Sequence, residues 1–86
     1  MILNELLHKV VVKEIIGSMD WEISSVQFDS RKVEINSLFV AQSGTQVDGH
    51  DFIENSIQLG AVAIVCERKP EVLNPEITYV LVENSS

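Results

Sequence analysis

The sequence has few basic residues, and this shortage excludes two kinds of partner. Six lysines and arginines stand against thirteen aspartates and glutamates, so the 86-residue chain has a formal net charge of −7 and a pI near 4.5. A protein that binds nucleic acid or an anionic membrane surface normally presents a basic face to the phosphates. Both functions are therefore disfavoured, and any anionic ligand must be held by local hydrogen-bond donors against the net charge.

Cysteines and long apolar runs are scarce as well. The single cysteine, Cys66, excludes an internal disulfide and indicates a reducing compartment. No apolar run approaches the ~18 residues that a membrane span needs. Residues 1–5 lack the basic segment of a signal peptide. With 45% hydrophobic and 22% charged residues, we expect one soluble, cytoplasmic globular domain.

Recognisable catalytic motifs are also missing. There is no G-x-x-x-x-G-K-[ST] loop for nucleotide phosphates, and His8, His50 and Cys66 lack the spacing of metal ligands. Cys66 ends an apolar strand and is interpreted as a core thiol. His50 is interpreted as a solvated residue in the first turn of a helix. We therefore expect no catalytic residue and no metal site in this chain.

The apolar pattern predicts an α/β fold, a small Rossmann-like sheet of about five strands with two or more flanking helices. A stripe of apolar residues predicts a short amphipathic helix on Ile2, Leu3, Leu6, Leu7 and Val10. Strands are predicted over residues 10–16, 23–29, 38–42, 61–66 and 78–82, and a second helix over 50–59. The strand over 23–29 alternates as a half-buried strand does, with Val26 and Phe28 on its apolar face.

The second helix has sequence signals at both ends. Asp48 is a good N-cap, and Gly60 is a natural residue for the helix end. Strand 38–42, this helix and strand 61–66 form one βαβ unit, which is right-handed in almost every known case and has parallel strands.

Two loops follow predicted strands and are candidates for ligand binding. One contains Asp29, Ser30 and Arg31, and the other spans residues 44–49 with a glycine at each end. In open α/β sheets, ligands bind outside the carboxyl ends of the strands. The two loops face each other if their strands are parallel neighbours. The same spacing also fits a purely structural role, in which the glycines make turns and Arg31 pairs with Asp29 or Glu34.

Four segments, in order and in spacing, resemble the N-terminal domain of the Mur ligases. Each is weak alone, but the four lie in register over residues 24–67, and with the flanking elements the resemblance covers nearly the whole chain. Asn36 stands where the family often has glycine, and Asn also tolerates a positive φ. The four segments are Phe28-Asp29-Ser30-Arg31, Leu38-Phe39-Val40-Ala41, residues 44–53 (GTQVDGHDFI) and Gly60-Ala61-Val62-Ala63.

The resemblance is strongest to the MurE type, UDP-N-acetylmuramoyl-L-alanyl-D-glutamate ligase. It implies that residues 1–86 are the single UDP-substrate-binding domain, a fragment of a three-domain cytoplasmic enzyme of peptidoglycan biosynthesis. The implied reaction is ATP-dependent amide ligation that adds the third amino acid, diaminopimelate or lysine, to the stem peptide. ATP and Mg²⁺ would bind to the other domains, so this fragment alone is expected to bind neither and to be non-catalytic.

The resemblance also assigns the site by position. The family's contacts to the uridine diphosphate fall on Phe28, Ser30, Thr45, Gln46 and Val47. Ser30 offers a hydroxyl donor, Phe28 and Val47 offer apolar contact to uracil, and main-chain groups near Thr45 and Gln46 offer hydrogen bonds. Arg31 is interpreted as structural.

Two alternatives stay open. The chain also resembles the first domain of the MurF type, which adds D-alanyl-D-alanine, and it would suit a stand-alone nucleotide-sugar-binding or interaction module. A G-T-N-G-K-T-like stretch some tens of residues after Ser86 would favour a ligase, and a stop codon near Ser86 would favour the module.

Overall fold

The fold is a mixed sheet covered on both faces. The computed structural model describes residues 1–44 and 48–84. Within them the sheet has five strands in the order β1-β5-β4-β3-β2. β1 runs antiparallel to β5, and the other neighbouring pairs are parallel. This confirms the predicted α/β class. The strands are β1 Val12–Ile16, β2 Val26–Gln27, β3 Leu38–Val40, β4 Ala63–Cys66 and β5 Thr78–Val82.

The helices are shorter than the predicted ones. α1 is Leu3–Leu6 and α2 is Ile53–Leu59, and 3-10 helices lie at Ser30–Lys32 and Gly49–Phe52. The stripe predicted for the first helix is only partly buried, because the helix ends after one turn and leaves Ile2 and Val10 exposed. No helix in the described ranges is long and apolar enough to cross a membrane.

The predicted βαβ unit is present as β3–α2–β4. Phe39 pairs with Ile64 in the parallel ladder that joins the two strands. Gly60 ends α2 with a φ of 118°, and its N–H donates to the carbonyl of Ile57 over 3.1 Å. A Cβ at Gly60 would lie 2.7 Å from the Cα of Ile35. A side chain is therefore excluded there by both conformation and space.

The core consists of two apolar layers, one on each face of the sheet. Phe39, Ile64 and Tyr79 belong to the layer on the α2 side. Leu38 and Val80 belong to the other layer, together with residues of α1. Successive residues of a strand point to opposite faces, so strands covered on both sides must be apolar throughout. The continuous apolar runs of β3, β4 and residues 79–82 of β5 follow from this arrangement.

The prediction for β2 was wrong in length and in burial. The ladder contains only Val26 and Gln27, not residues 23–29. Val26 is 40% exposed and Phe28 is 59% exposed. β2 is the edge strand of the sheet, and Phe28 lies beyond its last paired residue, so no neighbouring strand holds that side chain against the core.

Candidate functional site

A cleft lies at the carboxyl ends of β2 and β3. These strands are parallel neighbours, with Val26 opposite Leu38 and Gln27 opposite Phe39. Residues 28–31 follow β2 and residues 42–44 follow β3, and both segments line the cleft. The two candidate loops thus follow parallel, neighbouring strands, and the described parts of both loops lie at the same cleft.

The cleft is large enough for a small organic ligand. Its volume is about 670 Å³, inside the roughly 300–1,000 Å³ of typical ligand pockets. All three phenylalanines of the chain line it. Phe39 is buried, Phe52 comes from the second 3-10 helix, and Phe28 is largely exposed. An exposed aromatic ring beside a cleft offers a flat apolar surface to a planar ligand group.

Ser30 and Asp29 begin the first 3-10 helix at the edge of this cleft. Asp29 caps the helix by accepting from the N–H of Arg31 over 3.0 Å. Ser30 is half-buried and lines the cleft. Within the described part of the chain its hydroxyl has no hydrogen-bond partner. No contact among residues 1–44 and 48–84 prevents this hydroxyl from bonding to a ligand.

Arg31 pairs with Asp29, as its structural interpretation predicts. Its Nε donates to Oδ1 of Asp29 over 3.0 Å and its Nη2 to Oδ2 over 2.8 Å. The side-chain hydrogen bond from Arg31, followed by its backbone N–H, lowers the pKa of Asp29 to about 2. The Arg31 side chain is 87% exposed, so its positive charge lies in solvent at the edge of the cleft.

Three of the five predicted site residues belong to the sequence of the second candidate loop, residues 44–49. Thr45, Gln46 and Val47 lie outside the described residues. The structure brings together the other two, Phe28 and Ser30, on one wall of the cleft.

A backbone hydrogen bond joins the two ends of the second loop. The N–H of Gly49 donates to the carbonyl of Gln42 over 2.7 Å. A Cβ on Gly49 would lie 2.7 Å from the nitrogen of Gln42 and 2.9 Å from its oxygen. A glycine is required here because the two backbones approach too closely for a side chain.

The prediction of a solvated His50 was wrong. Its side chain is only 6% exposed. Nδ1 lies 2.8 Å from Oδ1 of Asp48, and Nε2 accepts from the N–H of Glu67 over 2.9 Å. The residue lies at a helix start, as predicted, but the end of β4 lies against it, and strand packing of this kind cannot be read from local sequence.

Asp48 is the predicted N-cap and has further partners. It accepts from the backbone N–H of His50 over 2.9 Å, and its other oxygen accepts from Nη2 of Arg68 over 2.7 Å. The backbone hydrogen bond from His50 and then the bond from Arg68 hold the pKa of Asp48 well below its usual range. The carboxylate is therefore ionised at neutral pH.

Other reactive groups lie away from the cleft. Cys66 is buried in β4, and burial raises the pKa of its thiol to about 11, which makes it a poor nucleophile. Among residues 1–44 and 48–84, no group of three His, Cys, Asp or Glu side chains is placed to hold a metal ion.

Sequence reasoning missed several residues around the cleft. The structure adds Gln42, Ser43 and Phe52 as lining residues and Glu67 as a partner of the second loop. Glu67 follows directly after β4, so the rule that sites lie at the carboxyl ends of parallel strands was a signal that could have found it.

Fold and cleft together define an α/β domain of the kind that binds ligands at the carboxyl ends of parallel strands. Residues 22–85 match the family model described as Mur ligase family, catalytic domain. The chain belongs to the Mur ligase family, as its sequence motifs predict.

Individual relatives agree with this assignment. The chain is 47% identical over 85 residues to the UDP-N-acetylmuramoyl-L-alanyl-D-glutamate--2,6-diaminopimelate ligase of Bacteroides thetaiotaomicron, covering 99% of the chain and 18% of that protein. The MurF ligase structure from Thermotoga maritima in complex with ADP is 39% identical with a TM-score of 0.62, over 71% of the chain and 14% of the MurF chain.

A second solved structure supports the fold alone. It is the MurF of Acinetobacter baumannii, with a TM-score of 0.67 at 22% identity, over 96% of the chain and 17% of that protein. The chain thus spans about a sixth of the curated relatives that it matches, at 17% to 18% of their length.

Proposed function

We propose that the cleft binds the uridine diphosphate end of UDP-N-acetylmuramoyl-L-alanyl-D-glutamate. The domain would serve a cytoplasmic ligase that adds the third amino acid, diaminopimelate or lysine, to the peptidoglycan stem peptide. ATP and Mg²⁺ would act in parts of that ligase outside residues 1–86, so this chain alone is expected not to form the amide bond. The observation that carries the proposal is the cleft between the ends of β2 and β3, in a chain whose curated relatives include ligases named for this substrate.

The lining of the cleft suits the two ends of the ligand. Phe28 offers an exposed ring for contact with uracil. The hydroxyl of Ser30 has no partner among the described residues and can donate to the nucleotide. Thr45, Gln46 and Val47 complete the proposed set of contacts, with main-chain groups near Thr45 and Gln46 as hydrogen-bonding groups.

Local donors also explain how a chain of net charge −7 could hold a diphosphate. Arg31 and Lys32 lie in the 3-10 helix that begins at Ser30. Arg31 is engaged by Asp29, so its net electrostatic effect on an anion is reduced. Hydrogen bonds from hydroxyl and backbone groups are therefore expected to contribute most of the affinity, with little dependence on salt.

The test is a titration of the ¹⁵N-labelled chain with UDP, followed by backbone NMR. The amides of Ser30, Gly44 and Gly49 should shift, and Ser30→Ala should weaken binding about 3- to 100-fold, the range for loss of one neutral or charge-assisted hydrogen bond. Gln46→Gly should weaken it as well. Ser18→Ala is the matched control, since Ser18 lies near Thr78 at the opposite edge of the sheet. Shifts confined to residues away from the cleft would show that the assignment is wrong.

The MurF alternative rests on the MurF ligase structure from Thermotoga maritima, to which the chain is 39% identical. The two ligase types act on different UDP-N-acetylmuramoyl peptides, because the MurF reaction follows addition of the third amino acid. In the intact ligase that contains this sequence, we expect ATP turnover with the UDP-N-acetylmuramoyl dipeptide and not with the tripeptide. The opposite preference would establish the MurF type, and binding of UDP-sugar with no turnover of either substrate would favour a stand-alone module.

A further inference from the structure

Glu67 contacts both ends of the loop that follows β3. Its carboxylate accepts from the hydroxyl of Ser43 over 3.0 Å, on the strand side of the loop. Its backbone N–H donates to Nε2 of His50 over 2.9 Å, on the helix side. One residue at the end of β4 therefore joins the two segments from which the loop begins and ends.

His50 extends this contact to the residue that caps the helix. Because a backbone N–H can only donate, Nε2 of His50 is the acceptor, and the ring hydrogen of a neutral imidazole must lie on Nδ1. Nδ1 then donates to Asp48 over 2.8 Å. Arg68 holds the same carboxylate from the other side over 2.7 Å. Both ring nitrogens are thus used, in a side chain that is almost fully buried.

This network lies behind the cleft and not inside it. Ser43, Gly44 and Gly49 line the cleft, but His50 and Glu67 do not. Gly49 is held to Gln42 by its own backbone hydrogen bond. Its neighbours Asp48 and His50 are held by Arg68 and Glu67, the two residues that follow β4. The wall of the cleft is therefore tied to two strands of the sheet.

We infer that Glu67 and His50 are positioning residues for the ligand cleft, an inference that rests on the proposed function. They hold Ser43 and Gly49 in place at the wall of the cleft, without touching the ligand. A wall fixed before binding does not have to be ordered on binding, so the loss of affinity from ordering a flexible segment is avoided. Removing the contacts should weaken binding while the sheet stays folded, since the buried residues of α2 and the strands form the core independently.

The hydrogen bond between Glu67 and Ser43 is tested by comparing Glu67→Ala with Glu67→Gln, using UDP as the probe. Both variants remove a negative charge near a site for an anion, so electrostatics alone predicts equal or tighter binding for both. Glutamine keeps an oxygen that accepts from Ser43, and alanine does not. We expect Glu67→Ala to bind UDP about 2- to 10-fold more weakly, the cost of ordering about one side chain on binding, and Glu67→Gln to bind at least as tightly as the wild type.

Two further variants distinguish the hydrogen bond of Nε2 from that of Nδ1 in His50. In His50→Gln the side-chain oxygen can reach the position of Nε2 and accept from Glu67. In His50→Asn the side-chain amide can reach the position of Nδ1 and donate to Asp48, but the acceptor for Glu67 is lost. Slow hydrogen exchange at the Glu67 amide and UDP affinity should both be retained in His50→Gln and both be lost or reduced in His50→Asn.

Glu76→Ala controls for the loss of one charge, because Glu76 is exposed and far along the chain from the loop. A dispersed amide spectrum confirms that each variant is folded. If the wild type shows no UDP response at Ser30 and Gly49, the proposed function fails. If the wild type binds and the Glu67 and His50 variants bind equally well, only the positioning role is overturned. Equal losses in Glu67→Ala and Glu67→Gln would likewise overturn the hydrogen-bond assignment.

Discussion

The N–H of Glu67 and Nε2 of His50 form a hydrogen bond of 2.9 Å between residues 17 positions apart in the chain. It joins the end of β4 to the 3-10 helix that precedes α2. His50 forms hydrogen bonds through both ring nitrogens, since Nδ1 contacts Asp48. The pair also determines which ring nitrogen carries hydrogen in the neutral side chain.

The first prediction concerns that tautomer. In the neutral side chain, Nδ1 of His50 should carry the hydrogen and Nε2 should not, because Nε2 accepts from the N–H of Glu67. Long-range ¹H–¹⁵N correlation spectra distinguish the two ring nitrogens. His8, which is exposed, provides the reference signal. Hydrogen on Nε2 of His50 would contradict the contact with Glu67.

The second prediction concerns the close approach at Gly49. Gly49→Ala places a Cβ within 2.7 Å of the backbone nitrogen of Gln42, so one of the two segments must shift. Overpacking of this kind costs about 1–3 kcal/mol, which should appear as a lower midpoint in urea unfolding. Asn55→Ala, at an exposed position of α2, should change stability by less than about 0.5 kcal/mol. An unchanged midpoint for Gly49→Ala would show that the loop base is looser than described.

The third prediction concerns acid stability. The pKa of Asp29 is lowered to about 2 by Arg31, against about 3.9 for an ordinary aspartate. A folded-state pKa below the unfolded value stabilises the fold above about pH 4. That contribution is lost as the pH falls through about 2.

Carboxyl ¹³C titration in the folded chain measures this pKa directly. Arg31→Gln should return the pKa of Asp29 towards the ordinary value, because the guanidinium hydrogen bonds are removed. Arg68→Gln is the matched control, since Arg68 pairs with Asp48 and not with Asp29. A pKa for Asp29 that is the same in all three proteins would contradict the ion pair.

The fourth prediction concerns the thiol. Burial raises the pKa of Cys66 to about 11. The side chain belongs to the last residue of β4 and is buried. At pH 8 the native chain should react with a disulfide reagent far more slowly than the same chain in urea, because both access and thiolate are lacking. Equal rates in the two conditions would show that β4 opens readily.

Local sequence patterns predicted the elements well. β3, β4, α2 and β5 all lie inside their predicted ranges. The Asp48 cap and the turn at Gly60 were also predicted. Caps, turns and apolar runs depend on residues a few positions apart, so one sequence contains all the information that they need. The length of β2 and the exposure of Phe28 could not be predicted, because they depend on whether a strand is central or at the edge of the sheet.

By itself, then, the sequence determined the α/β class, the parallel βαβ unit and the two loops at strand ends that include Ser30. The tertiary structure alone decided that β2 lies beside β3, so that Ser30 and Ser43 line one cleft, and that β4 brings Glu67 against His50. The physical reason is that periodicity specifies which face of an element is buried, whereas strand order and the packing of loop ends arise from contacts between residues far apart in the chain.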